Sequence, residues 1–328
     1  MAICSAVTSK VRLFQAYRTA SSASAAVHTP KKKRAGIYLL LFLLSVGFYL
    51  WQNGNVDFSH TTYDHATQAS DVIRQSLLNH EEEVSFRYRT DRYDKSLLST
   101  ALSPTSQEIR AAYYAAVEHT GRPNEGDQLS RWTYLSEIMT TAYPQLNGTY
   151  IIQADCKIGY YVTKEQEAWL RTRIPAILSS LNLTGKSDYE KVRAIYNWIC
   201  SHVTYDEAHL NDDSYWMKYT AYNAVRLGTA VCDGYAQLFY RLALTAGLEC
   251  RIKINSNHAW NLVKLGNQYY YCDATWDSGL PESQYRYFLK GSMDFDFHTN
   301  ALKMIGVADS PLLDVDRSLP VAMYGYGR

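Results

Sequence analysis

The sequence has neither the loop that holds a phosphate group nor a ligand set for a metal ion. It contains no glycine-rich phosphate loop, no compact group of metal ligands and no internal repeat. His202 and His209 have acidic neighbours, but their spacing does not assemble a ligand set, so we expect both on a solvated surface. These absences predict a protein that uses neither a metal ion nor a cofactor.

Acidic residues are missing from the first 34 positions, which contain seven lysines and arginines. Because the net charge of the 328-residue chain is +1, the remaining residues carry a net charge of −6. Binding to the phosphates of a nucleic acid requires clustered lysine and arginine. The acidic body therefore argues against nucleic acid as a partner, and residues 1–34 are interpreted as a basic cytoplasmic segment.

Charged residues are also missing between positions 35 and 56, where the run Gly36–Trp51 is almost wholly apolar. A helix of about 17–25 residues can cross a bilayer, so residues 35–56 are predicted to form a single transmembrane anchor. The basic cluster Lys31–Arg34 should stay cytoplasmic, which predicts a single-pass membrane protein whose catalytic domain is extracytoplasmic. A cleaved signal peptide and an organelle presequence are the alternatives.

Three residues with the chemistry of a nucleophilic triad follow one another along the chain, namely Cys232, His258 and Asp273. Apolar residues recur at helical spacing after Ala230, and Gly247 supplies a stop. This pattern predicts a helix with Cys232 in its first turn. The unpaired N–H groups and the positive end of the helix dipole favour a thiolate at that place.

The other two members of the candidate triad are connected by a predicted β-hairpin. Residues 258–265 and 268–273 read as its two strands, closed by a two-residue turn. A turn of this length puts Asp273 on the same face as His258, within reach of the imidazole. Asp277 is the alternative third member, although it lies beyond the predicted end of the strand.

These blocks resemble the transglutaminase-like superfamily, which shares the papain-like cysteine-protease core. The matching pieces are Gly228–Ala236, Ala246–Leu248, His258–Asn261 and Asp273–Asp277, with Tyr196–Ile199 and Val203–Asp206 upstream. The resemblance covers about a third of the chain, from Asp188 to Leu289. It implies that Cys232 is the nucleophile, His258 the base and Asp273 the residue that orients the base. The link 255–257 lacks the glycine-containing loop of the family, so we expect one wall of the cleft to be unusual.

The predicted fold class is α+β, with a papain-like or transglutaminase-like core in which the nucleophile helix packs on an antiparallel sheet. Residues 57–162 are predicted to form a linker and an N-terminal α/β region, and residues 163–328 the catalytic domain. Within these regions we expect a short helix over residues 132–142 and a closing strand over residues 285–289.

The chain has six cysteines. Cys4 falls on the predicted cytoplasmic side, and Cys232 is the candidate nucleophile. The remaining four are Cys156, Cys200, Cys250 and Cys272. An even number of thiols permits disulfides in an oxidising space, in three alternative pairings. The other interpretation is that all four are reduced core residues.

Tyrosine is unusually frequent, with 28 residues. Tyr235 and the run Tyr269–Tyr271 adjoin the candidate site. Rigid amphipathic rings suit a surface that binds peptides or glycans. The alternative is that these tyrosines fill strand and core positions.

Two classes of function fit the sequence. The first is a membrane-anchored enzyme that acts on amide bonds of a protein or peptide through a thioester intermediate. Hydrolysis by a cysteine peptidase or amidase is favoured over cross-linking, because Asn261 and the short link 255–257 give no sign of the apolar tunnel that a cross-linker needs. The second class is a non-catalytic binding module on the same scaffold.

Overall fold

The computed structural model describes residues 61–94, 103–255, 257–295 and 312–327, together with Ser45. The described residues after position 60 belong to one compact unit. Within the described part of the chain, no helix is both long and apolar enough to cross a membrane. The predicted cytoplasmic segment 1–34 and the predicted anchor 35–56 lie outside the described residues, apart from Ser45.

The first layer of this unit is a four-stranded sheet in the order β1-β2-β4-β3. Its strands are β1 (Thr62–Tyr63), β2 (Glu83–Thr90), β3 (Thr133–Pro144) and β4 (Tyr150–Tyr160). The pair β1 and β2 is parallel, and the other two pairs are antiparallel. In β4 every second residue is buried, because one face of the sheet packs on a core and the other does not.

Three helices accompany this sheet, namely α1 (Ser70–Asn79), α2 (Pro104–Ala116) and α3 (Asp127–Trp132). A 3₁₀ turn over Ala66–Ala69 precedes α1. The hydroxyl of Ser103 accepts a hydrogen bond from the backbone N–H of Ser106 and so caps the start of α2. Apolar side chains of α1, α2 and the sheet share one core that includes Ile73, Phe86, Ile109, Trp132 and Ile152.

The prediction of a helix over residues 132–142 is wrong. Helix α3 ends at Trp132, and the following residues form the long strand β3, paired with β4 from Thr133 to Pro144. The turn between β3 and β4 is closed by the backbone N–H of Gln145, which donates to the carbonyl of Thr149. Pairing with β4 along the whole strand satisfies the backbone groups on one edge of β3. This tertiary gain outweighs the helical spacing of a few apolar side chains.

The second part of the unit holds the candidate triad. It contains α4 (Lys164–Ser180), α5 (Asp188–His202), β5 (Thr204–Tyr205), α6 (Ala221–Arg226), β6 (Thr229–Ala230) and α7 (Cys232–Thr245), and then the antiparallel sheet of β7 (Cys250–Ile254), β8 (Ala259–Leu265) and β9 (Gln268–Cys272). Capping boxes begin α4 at Thr163 and α5 at Ser187. Helix α7 is buried along most of its length, because α5 and the β7–β9 sheet share one core with it.

The closing strand predicted over residues 285–289 does not form as a regular strand. The regular structure in the described residues after β9 consists of 3₁₀ turns at Glu282–Gln284 and Val315–Ser318 and of two isolated bridges, Lys290 with Tyr271 and Val321 with Tyr269. A further 3₁₀ turn, Trp216–Tyr219, precedes α6.

The short helix α3 connects the two parts of the unit. Asp127 makes two hydrogen bonds to the guanidinium of Arg251, at 2.8 and 3.0 Å, and accepts a third from the backbone N–H of Ile252. Arg131 makes a bidentate ion pair with Asp233, at 2.7 and 2.8 Å. Because Asp233 directly follows Cys232, this ion pair fixes the N-terminus of the nucleophile helix. The predicted domain boundary at residues 162 and 163 stays a prediction.

All five described cysteines are free thiols. Cys156, Cys200, Cys250 and Cys272 are buried, and burial raises the pKa of Cys156 and of Cys200 to about 12. The interpretation of these four as reduced core residues therefore fits the structure, and the interpretation as disulfide partners does not.

Candidate active site

Cys232 is the first residue of α7. The backbone N–H groups of a first helical turn have no acceptor within the helix, so they face outward with the positive end of the dipole. Gly234 lies in the same turn and lets the helix pack closely against the backbone of Thr220. A Cβ at position 234 would lie 2.9 Å from the carbonyl oxygen of Thr220. Cys232 is half-buried, whereas the other described cysteines are buried.

His258 is placed by a tight turn between β7 and β8. The side-chain oxygen of Asn255 accepts hydrogen bonds from the backbone N–H groups of Asn257 and His258, at 3.0 and 2.8 Å. The backbone N–H of Asn255 donates to the carbonyl of His258 at 2.9 Å. The link that lacks the glycine-containing loop of the family is thus closed by an asparagine side chain.

Asp273 follows β9 and meets the imidazole of His258. Leu265 pairs with Gln268 across the hairpin, which confirms the predicted register. Oδ2 of Asp273 lies 2.6 Å from Nε2 of His258. Its Oδ1 accepts from the backbone N–H groups of Thr275 and Trp276, at 2.9 and 3.3 Å. Both carboxylate oxygens thus have hydrogen-bond partners, and Oδ2 is the one that faces the imidazole.

Asp277, the alternative third member, serves the fold instead. It is completely buried. Its carboxylate accepts a hydrogen bond from the hydroxyl of Tyr196 at 2.7 Å, and one each from the backbone N–H groups of Arg286 and Tyr287 at 2.9 Å. These contacts tie α5 to the segment after β9.

The charge state of His258 follows from its two partners. Burial lowers the pKa of His258, but hydrogen bonds to Asp273 and Cys232, together with the negative charges of both, raise it to about 10. Because Nε2 faces Asp273, Nδ1 is the nitrogen left for the sulfur. The imidazolium is thus favoured at neutral pH, where it can pair with a thiolate and hold a proton for a leaving group.

Two tryptophans that the sequence analysis did not single out pack against His258. The ring centroids of Trp260 and Trp276 lie 5.6 and 5.3 Å from that of His258, and both rings are stacked on it. Trp260 is two residues beyond His258, so the alternation of a strand could have placed both side chains on one face. Trp276 is 42% exposed and forms an open wall of the site.

The tyrosines that adjoin the triad in sequence do not form a binding surface. Tyr235 and Tyr269–Tyr271 are buried. The hydroxyl of Tyr235 donates to the carbonyl of Val203 at 2.9 Å, and that of Tyr271 donates to Asp316 at 2.9 Å. The interpretation of these residues as core-filling fits the structure.

Neither histidine that we considered as a metal ligand belongs to a metal-ligand cluster. The ring of His202 stacks on Trp198, and Nδ1 of His209 lies 2.8 Å from Oδ1 of Asp206. Within the described part of the chain, no group of three or more His, Cys, Asp and Glu side chains could hold a metal ion.

Comparison with known proteins identifies the fold around this site. The family model of the transglutaminase-like superfamily matches residues 176–274, a range that contains Cys232, His258 and Asp273. The chain carries a transglutaminase-like core. This finding confirms the resemblance read from the sequence, and members of the superfamily are generally cysteine-based acyl-transfer enzymes.

Two curated relatives are similar to part of the chain. The chain is 34% identical over 131 residues to kyphoscoliosis peptidase of Mus musculus and 32% identical over 130 residues to kyphoscoliosis peptidase of Homo sapiens. The matches cover 35% and 34% of this chain. The chain spans only 20% and 19% of the length of these relatives.

Two solved structures are also similar to the chain. One is a transglutaminase, with 18% identity and a TM-score of 0.31 over 58% of this chain and 51% of that protein. The other is a candidate cysteine protease from Cytophaga hutchinsonii, with 14% identity and a TM-score of 0.27 over 44% of this chain and 66% of that protein.

Proposed function

We propose that this protein is a thiol acyl-transfer enzyme that acts on amide bonds of a protein or peptide. One observation carries the proposal: Nε2 of His258 lies 2.6 Å from Oδ2 of Asp273, and the side chain of His258 also has a hydrogen bond to Cys232. A nucleophile, a base and a residue that orients the base are thus joined in one chain of hydrogen bonds, at the N-terminus of a helix.

The proposed reaction begins when the Cys232 thiolate attacks the amide carbonyl. The carbon–sulfur bond forms, and the oxyanion that develops is stabilised by the backbone N–H of Cys232. The imidazolium of His258 then donates its proton to the amine as the carbon–nitrogen bond breaks, which leaves a thioester on Cys232. Neutral His258 next takes a proton from water as the water oxygen attacks the thioester carbon. The carbon–sulfur bond then breaks, which releases a carboxylic acid and restores the Cys232 thiolate beside the His258 imidazolium.

Hydrolysis is proposed over cross-linking because the histidine side of the site is open and polar. Beside Trp276 lies a cleft of about 830 Å³, whose lining includes Ser283, Gln284 and Arg286. A cross-linker must exclude water from its thioester, and apolar walls serve that purpose. The peptidase name of the two curated relatives supports the same choice, although the chain spans about a fifth of their length.

The choice between the two reactions is tested with the full chain and a glutamine-containing protein. A labelled primary amine is added, and new amino termini and conversion of glutamine to glutamate are measured in parallel. We expect cleavage or deamidation, with little amine incorporated, and loss of both in Cys232→Ala. Efficient amine incorporation with neither cleavage nor deamidation would overturn hydrolysis and favour cross-linking.

We also propose that residues 35–56 anchor the protein in a membrane, with the catalytic part outside the cytoplasm. Support comes from the uncharged run Gly36–Trp51 and the basic cluster Lys31–Arg34 before it. Protease added to intact cells that express the full chain should remove an epitope placed after Arg328 and spare one at the N-terminus. Protection of the C-terminal epitope would contradict this orientation.

A further inference from the structure

Three aromatic rings form a continuous ladder on the surface of the molecule. The ring centroid of Tyr161 lies 5.3 Å from that of Tyr134 and 5.3 Å from that of Trp216, with tilts of 37° and 34°. Tyr134 is 38% exposed and Trp216 is 49% exposed. All three line a cleft of about 630 Å³, which we call the aromatic cleft. Its rings come from β3, from the segment after β4 and from the turn Trp216–Tyr219.

The backbone is shaped to admit this ladder. Tyr134 pairs with Gly159 across β3 and β4. A Cβ at Gly159 would lie 2.2 Å from the tip of the Tyr134 ring, so the ring lies directly over the glycine. An ordinary side chain at this position would push Tyr134 out of the ladder.

A histidine forms part of the wall of the aromatic cleft. The lining includes His80, whose ring stacks on Tyr160 with a centroid distance of 4.6 Å. Burial lowers the pKa of His80, which favours the neutral ring.

The end of α3 joins the aromatic cleft to the start of the nucleophile helix. Arg131, in α3, forms the bidentate ion pair with Asp233, the residue next to Cys232. The backbone N–H of Tyr161 donates to the carbonyl of Trp132 at 3.0 Å, which fixes the middle ring of the ladder to the end of α3.

We propose that the aromatic cleft binds a large apolar side chain of the polypeptide whose amide reacts at Cys232. The inference rests on the proposed function, because the thiol chemistry at Cys232 acts on amides and so favours a polypeptide. Exposed aromatic faces gain most from burying apolar carbon. The aromatic cleft thus selects the residue that lies a few positions from the reacting amide.

Binding of labelled peptides to the full chain carrying Cys232→Ala tests this proposal. The probes are fluorescent peptides that contain one glutamine. They differ at one other position, which is occupied by Trp, Leu or Asp. Separate peptide sets place this position at increasing distances on either side of the glutamine. At one position we expect the Trp and Leu peptides to bind about tenfold tighter than the Asp peptide, the size expected for burying one apolar side chain.

Two variants that alter the aromatic cleft and one matched control make this result specific. Trp216→Ala should remove the tenfold preference. Gly159→Ala should reduce it, although every aromatic side chain is kept. Tyr324→Ala removes a comparably exposed ring, 55% exposed, from another part of the surface and should leave the preference intact. Equal melting temperatures would show that the variants are folded.

A preference that survives in Trp216→Ala, or the absence of a preference at every position, would overturn the proposal. Tight binding of an oligosaccharide such as chitohexaose, with no peptide preference, would overturn the assignment to a polypeptide. The rate at which Cys232 is alkylated in the wild-type chain tests the proposed chemistry separately. A reactive Cys232 without a peptide preference would refute the proposed binding role of the aromatic cleft and leave the proposed reaction intact. An inert Cys232 with that preference would refute the proposed reaction and leave the binding role intact.

Discussion

Replacing Cys232 with alanine should abolish acyl transfer and leave the fold intact. The sulfur makes the covalent bond to the substrate, so no other group can replace it. The expected fall in kcat is about 10⁶-fold, as for the loss of a nucleophile that works as part of a triad. Half-buried Cys232 contributes little to the core, and the melting temperature should stay close to that of the wild type. Both quantities are measured on the purified full chain.

Cys156→Ala is the matched control for this experiment. Cys156 is a buried thiol in the core of the first layer, so its replacement should lower stability and leave the rate per folded molecule unchanged. Residual activity of Cys232→Ala within tenfold of the wild type would show that another group makes the bond.

The two aspartates should differ in their effect on the rate per folded molecule. In Asp273→Asn the negative charge that favours the positive form of His258 is lost, and an NH2 group replaces one of the two oxygens that accept hydrogen bonds. We expect kcat/KM per folded molecule to fall about 10²- to 10⁴-fold, together with a loss of stability. In Asp277→Asn the side chain can no longer accept all of its hydrogen bonds, which should cost about 2–4 kcal/mol of unfolding free energy.

Activity per folded molecule distinguishes the two aspartate variants. Chemical denaturation gives the folded fraction of each, and the rate is divided by it. An Asp277→Asn variant that is stable and slower than Asp273→Asn would make Asp277 the third member of the triad, against the contact seen with His258.

The sequence predicted the core of the site because its geometry is local. A helix that starts at Cys232 needs only the apolar spacing of the next residues. The position of Asp273 relative to His258 follows from the length of one hairpin turn, and the observed register agrees with it. The wrong helix at residues 132–142 has the opposite cause, because β3 is stabilised by pairing with β4 and not by its own side-chain pattern.

The surroundings of the site depend on distant contacts and could not be predicted in the same way. The ion pair of Arg131 with Asp233 joins residues 102 positions apart, and neither charge has a local signature. The aromatic ladder draws Tyr134 and Trp216 from different segments. By contrast, the buried tyrosines beside the triad were conspicuous in the sequence. Their hydroxyls have internal hydrogen-bond partners that become visible only in the fold.

The pH dependence of Cys232 alkylation tests the central claim most directly, because it needs no substrate. The wild-type chain is treated with an uncharged alkylating reagent between pH 5 and pH 9, and each cysteine is quantified by mass spectrometry. The buried thiols Cys156, Cys200, Cys250 and Cys272 serve as internal controls that should stay unlabelled in the folded protein.

With its pKa raised to about 10, His258 keeps its positive charge throughout this range and pairs with the thiolate. The paired site therefore predicts a labelling rate of Cys232 at pH 6 within a few fold of the rate at pH 8. An unactivated cysteine would label roughly a hundredfold more slowly at pH 6 than at pH 8, because its thiolate fraction falls about tenfold per pH unit. That result for Cys232 would contradict the account.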